Sequence, residues 1–124
     1  VRLVVAVLKP TELEPVRHAL AAVHVTRLTV CDAQEHLLPR GSAAAGAARS
    51  VGDASAATPL PIALTAVMEI AVNDDFLDRT LDTIAAAMHR ADPTGGRDAG
   101  ERLFVLPMHE AIQIYREVRG QEAI

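Results

Sequence analysis

One glutamate, Glu69, interrupts the apolar run "AVMEIAV". A carboxylate in such a run is costly to bury without partners, so it either accepts hydrogen bonds from a neighbour or ligand, or points to water. A second group of chemically capable residues is "TGGRDAGER". There Gly95, Gly96 and Gly100 offer backbone N–H groups to an anion, beside the cation Arg102. A loop of this kind is equally compatible with a plain turn. The five histidines, His18, His24, His36, His89 and His109, form no ligand pair such as His-x-x-x-His. Asp32, Glu35 and His36 are close enough in sequence to be weighed as a metal trio, but no metal site is expected. The single cysteine, Cys31, excludes an internal disulfide framework and a zinc cluster, and reads as a small buried hydrophobe. No nucleophile–base pairing is visible. Glu69, His36 and Asp98 are what a small enzyme would have to use, and no catalytic residue is assigned.

The elements that must position these residues follow from the hydrophobic pattern. "RLVVAVLKP" is a β-branched, nearly continuous apolar strand stopped by Pro10. "TELEPVRHALAAV" is a helix with a Thr11–Glu14 capping box and a stripe of Leu13, Val16, Leu20 and Val23. "VTRLTVCDA" is a strand. The order then repeats. "IALTAVMEIAV" is a strand, and "NDDFLDRTLDTIAAAMHRA" is a helix capped by Asp74 or Asp75, with Leu77, Leu81, Ile84 and Met88 on its stripe. "ERLFVLP" is a strand, and "MHEAIQIY" is predicted to be a short helix. The fold class is α+β: a ferredoxin-like double βαβ sandwich with a long loop between strands 2 and 3. One sheet face is covered by helices. The other is too apolar to stay wet, which predicts self-association.

The chain has 124 residues, enough for a single domain over 1–124 with an aliphatic core. Twelve basic against sixteen acidic residues give a net charge of −4, and only three residues are aromatic. A nucleic-acid binder would need a basic surface or stacking platforms, so that class is excluded. The apolar start Leu3–Leu8 is too short for a signal peptide. The longest apolar run, Leu60–Val72, is too short and too interrupted to span a bilayer. A soluble cytoplasmic protein is expected. Arg40–Pro61, "RGSAAAGAARSVGDASAATPLP", cannot build a core, and loops of that length are uncommon unless functional or disordered.

Four pieces in this order carry a resemblance: "LKPTELEPVRHALAAVHVTRLTV", "MEIAVNDD", "GERLFVLPMHEAIQI" and the closing "RGQEAI". Together they resemble the PII signal-transduction proteins over most of the chain. The resemblance implies a homotrimer that binds ATP, ADP or AMP in its intersubunit clefts. It also implies a long T-loop, here 37–61, through which a regulated enzyme or membrane transporter is controlled. It places Lys9, Thr29, Glu69, Gly96, Gly100 and Arg102 at the nucleotide, and Arg40, Gly41, Arg49 and Asp53 on the partner-binding loop.

Departures from the family pattern matter as much. Gln113 and Tyr115 stand where relatives carry two phosphate-binding arginines, with Arg116 and Arg119 nearby. Glu101 stands where a glycine is expected and brings negative charge toward the phosphates. In "EHLLPRG", Pro39 occupies the place of a glutamine that helps hold magnesium and 2-oxoglutarate, so sensing of 2-oxoglutarate in the usual manner is not expected. The loop has no tyrosine to be uridylylated. Ser42, Ser50, Ser55 and Thr58 are its modifiable hydroxyls. The leading reading is a divergent PII-like regulator, not an enzyme. The alternatives are a structural trimer with a vestigial nucleotide site and a small enzyme on the same fold.

Overall fold

The computed structural model describes residues 1–36, 62–94 and 101–124. The elements are β1 (Arg2–Leu8), a 3-10 turn (Pro10–Glu12), α1 (Leu13–Ala22), β2 (Thr29–His36), β3 (Ile62–Val72), α2 (Asp74–Ala91), β4 (Arg102–Pro107), β5 (Ile112–Gln113), β6 (Val118–Arg119) and a closing 3-10 turn (Gly120–Ala123). By its contacts the chain divides into two compact units, residues 1–33 with 65–124, and residues 34–64. Of the second unit, only the end of β2 and the start of β3 are described. The long-loop segment 37–61, with Arg40, Gly41, Arg49 and Asp53 and its serines and threonine, lies outside the described residues.

The main sheet has the strand order β2-β3-β1-β4, which is that of the ferredoxin-like sandwich. β1 is antiparallel to both neighbours, from Arg2↔Val72 to Leu8↔Ala66 against β3 and from Arg2↔Pro107 to Val7↔Arg102 against β4. The period of two sends Val4, Ala6 and Leu8 of β1, with Ala66, Met68, Ile70 and Val72 of β3, into the core. Val16 and Leu20 of α1 and Ile84 and Ala87 of α2 meet them there. Of the expected stripe of α1, Leu13, Val16 and Leu20 reach the core, while Val23 falls just past the helix end and outside it; the stripe of α2 is shifted. The buried line of α2 runs through Thr80, Ile84 and Ala87, while Leu77, Leu81 and Met88 flank it. Thr80 is fully buried, and its hydroxyl donates to the Phe76 carbonyl at 2.8 Å, so its own oxygen is not stranded.

The opposite sheet face carries Leu3, Val5 and Val7 in register with Leu106, Phe104 and Arg102 of β4 and with Ala71, Glu69 and Val67 of β3. Phe104 and Leu106 are 46% and 44% exposed on it. Glu69 thus projects from the outer face, opposite Val5, and is exposed. That settles its alternatives in favour of water within a single chain.

Four local expectations need correction. The strand expected over 25–33 runs from Thr29 to His36, because the Val25 N–H is spent on the Leu20 carbonyl at 3.0 Å, closing α1 through His24 at φ 67°. The Thr11–Glu14 capping box is replaced by one formed two residues earlier. The Lys9 N–H donates to Glu12 Oε2 at 2.9 Å and the Glu12 N–H to the Lys9 carbonyl at 2.9 Å, whereas Glu14 pairs with Arg17. Asn73, rather than Asp74 or Asp75, occupies the cap position of α2. The two acids fill its first turn, where the helix dipole favours them.

Finally, "MHEAIQIY" forms no helix. Ile112 and Gln113 pair with Arg119 and Val118 across a turn at 114–117. The β-branched isoleucines favour extended backbone. The Gly120 N–H donates to the Ala111 carbonyl at 2.8 Å, and Arg119 bridges Glu110 at 2.8 Å to close the hairpin. Glu117 takes φ 54° inside the turn and Gly120 takes φ 66° after it, a conformation glycine adopts without strain.

Ile84, fully buried between helix and sheet, sets the cost of an imperfect core. Ile84→Ala is expected to lower unfolding free energy by roughly 2–5 kcal/mol in urea denaturation. A loss well under 1 kcal/mol would show that the helix layer does not pack as described.

Candidate functional site

Pro10 ends β1, and the backbone turns so that the Lys9 side chain leaves the sheet at its end, 43% exposed. Two carboxylates receive it. Asp92, the residue after α2, lies 2.7 Å from Lys9 Nζ, and Glu101, the residue before β4, lies 2.9 Å from it. Lys9 therefore joins both ends of the segment that links α2 to β4. Thr94 helps orient the first partner, its hydroxyl donating to Asp92 Oδ1 at 3.0 Å. Glu12 completes the group from the 3-10 turn and is 3% exposed. Carboxylate oxygens of Glu12, Asp92 and Glu101 all lie within 4.8 Å of one another.

Three carboxylates so close must share their charge out. Burial pushes the Glu12 carboxyl above its ordinary value. The Lys9 N–H opposes that shift, and the Glu101 charge adds to it. Asp92 is held below its ordinary value by the hydrogen bond from Lys9, with Thr94 assisting. At Glu101 burial works in the opposite direction, but the hydrogen bonds from Lys9 and from its own backbone N–H, with the Lys9 charge and Glu12, outweigh it, and the carboxyl is held low. The Lys9 ammonium is pushed well above the usual lysine value by its hydrogen bonds to Asp92 and then Glu101. The arrangement is a carboxyl that favours its proton, two ionised carboxylates, and one lysine between them. By spacing alone the three acids suit a divalent cation. The Lys9 ammonium already meets two of them, Asp92 and Glu101, and would repel a second cation there.

The sequence-predicted residues divide around this group. Lys9 and Glu101 come together in it. Arg102 follows Glu101 and lies on the outer sheet face opposite Val7. Thr29 opens β2, with β3 between that strand and β1, and Glu69 lies mid-sheet on the outer face, so neither joins the Lys9 group within one chain. Gly95, Gly96, Gly100 and Asp98 lie outside the described residues. Asp32, Glu35 and His36 do not converge, because among the described residues the carboxylate trio above is the group close enough to hold an ion. Cys31 is exposed on β2, not buried. Tyr115 is fully exposed in the β5–β6 turn with Arg116, so strand alternation does not govern which way Arg116 faces. Arg119 is engaged by Glu110.

Sequence reading missed Asp92 and Glu12. Asp92 stands in the turn-rich composition "DPTGG" and is passed over there, although an acid just past a helix end needs a cation to offset the dipole. Glu12 was legible as Lys-x-x-Glu, the spacing at which a carboxylate returns to a cap N–H.

The pH dependence of stability follows from these directions. Between the unfolded value of 4.5 for Glu12 and its higher native value, the native state binds more protons, so this group's contribution to stability falls as pH rises. Asp92 and Glu101 act oppositely: their contribution is present above their unfolded values and is lost as pH falls through the native ones. Glu12→Gln keeps an acceptor for the Lys9 N–H and removes the ionisation. The variant is expected to exceed the wild type in stability at about pH 8 and to lose that advantage at about pH 4 in denaturant titrations. A difference that does not change with pH would contradict the burial argument.

Comparison with known proteins is consistent across the chain. The model of the family "Nitrogen regulatory protein P-II" matches residues 1–118. The nitrogen regulatory protein GlnK1 of Methanosarcina mazei is 31% identical over 121 residues, covering 98% of this chain and 95% of its own. The nitrogen regulatory protein GlnK2 of Haloferax mediterranei is 28% identical over 124 residues, covering 100% of this chain and 91% of its own. No described helix is long and apolar enough to cross a membrane. With the sheet order, the paired helices and a family match over nearly its whole length, the chain belongs to the nitrogen regulatory P-II family.

Proposed function

We propose that the protein is a nitrogen regulatory signalling protein that assembles as a homotrimer, binds an adenine nucleotide or related small effector between subunits, and controls a partner protein through segment 37–61. The family match over residues 1–118 carries the regulatory reading. The apolar outer sheet face, with Phe104 and Leu106 nearly half exposed in one chain, supports assembly, since such a face is stable once covered by its own copies. Lys9 and Arg102, at the same end of the sheet, supply the cations that a phosphate would need.

The fit to a triphosphate is poor. Lys9 is already held by two carboxylates, Arg119 is held by Glu110, and Gln113 and Tyr115 stand in place of arginines. That observation favours a second reading, in which the trimer keeps its shape and the nucleotide site is vestigial. In neither reading does the protein act as an enzyme. The partner is an enzyme or a transporter, and neither magnesium nor 2-oxoglutarate is required for binding.

Light scattering should give the mass of a trimer. Calorimetric titration with ATP, ADP and AMP, with and without magnesium and 2-oxoglutarate, should show saturable binding of at least one nucleotide that 2-oxoglutarate leaves unchanged. Arg102→Ala should weaken that binding by about tenfold, as expected for a lost charge-assisted hydrogen bond. No heat with any nucleotide would establish the vestigial reading instead.

A further inference from the structure

The two carboxylates on Lys9 do more than occupy it. Asp92 and Glu101 lie at opposite ends of the α2–β4 connection, and both approach the same ammonium, at 2.7 and 2.9 Å. Their ionised charges exceed that of Lys9 by one, and Glu12 stands close behind with a carboxyl of its own. Around the Lys9 ammonium itself, then, the two carboxylates it meets leave excess negative charge, while Arg102 stands one residue beyond Glu101 on the outer sheet face. A ligand anion approaching Lys9 must share it with both acids. Glu101 is the more enclosed of the two, its side chain 12% exposed against 31% for Asp92, so its charge is the less screened by solvent.

We propose that Glu101, seconded by Asp92, is the specificity-determining residue of this site, and that its carboxylate on Lys9 selects nucleotides of low charge, a nucleoside monophosphate over a triphosphate. This deepens and rests on the reading of the Lys9 end as a nucleotide site. The physical reason is the scaling of repulsion with ligand charge. At an effective dielectric constant of about 30 and a separation of about 7 Å, each further unit of negative charge on the ligand loses roughly tenfold in affinity. Contacts to the base and sugar are common to the whole nucleotide series, so they cancel from the ratio. The charge penalty does not.

The test is calorimetric titration of the full chain with AMP, ADP and ATP at one fixed, low ionic strength, for the wild type and for Glu101→Gln. Glutamine keeps the size and one acceptor, and it removes the charge. The wild type is expected to bind AMP more tightly than ATP. The variant is expected to gain about a hundredfold more affinity for ATP than for AMP, about tenfold for each of the two further charges. If Glu101→Gln does not fold, Asp92→Asn removes the other carboxylate from Lys9 and must move the ratio in the same direction. Saturable binding with an ATP-to-AMP affinity ratio that neither variant changes would overturn the selectivity role and leave the nucleotide reading standing. Absence of binding in wild type and variants alike would overturn the nucleotide reading, and this inference with it. A purely structural role for Glu101 would weaken all three nucleotides together and leave their ratio where it was.

Discussion

The ammonium of Lys9 is the point at which the chemistry of this fold is decided. Three pieces of local structure converge on it. Pro10 ends β1 and fixes where the lysine leaves the sheet, Asp92 follows the last turn of α2, and Glu101 precedes β4. The lysine is 43% exposed, so its ion pairs position the chain more than they stabilise it. Their consequence is electrostatic. A cation that could meet an incoming phosphate is already shared between two carboxylates, and the buried Glu12 behind them limits how much more negative charge the site tolerates.

The sheet carries the other half of the account. One face is a closed aliphatic core of Val4, Ala6, Leu8, Met68 and Ile70 against both helices. The other presents Val5, Phe104 and Leu106 in rows, with Glu69 and Arg102 as its charged members. That asymmetry explains how a chain with so few aromatic residues supports a stable layer while leaving an apolar face exposed. The helices satisfy one face, and the second face asks for an apolar cover that the described part of a single chain does not provide. Glu69 on that face is a constraint on any cover, because a carboxylate placed there must keep water or find a donor.

Much of this was legible from residue pattern. β3 runs from Ile62 to Val72 as its composition predicts, and α2 covers the expected residues because the stripe and the first-turn acids agree. What was not legible depended on competition between local bonds. β2 begins late because Val25 lends its N–H to the end of α1. The β5–β6 hairpin replaces a helix because its defining contacts, Glu110 with Arg119 and Gly120 with Ala111, lie nine residues apart in sequence and show no periodicity. At the site, Lys9 and the disturbing charge of Glu101 could be read in advance. Asp92 could not, since its pairing with Lys9 spans 83 residues and nothing in the sequence between them encodes it.

The central claim is that Lys9 is held by Asp92 and Glu101 while Glu12 behind them keeps its proton more readily than usual. Carbon-13 detected carboxyl titration of the uniformly labelled protein, followed residue by residue, tests it most directly. The account predicts that Asp92 and Glu101 titrate below ordinary aspartate and glutamate values and that Glu12 titrates above, with all three curves perturbed by Lys9→Met. Ordinary values for all three carboxyls, unmoved by removal of the lysine, would contradict it.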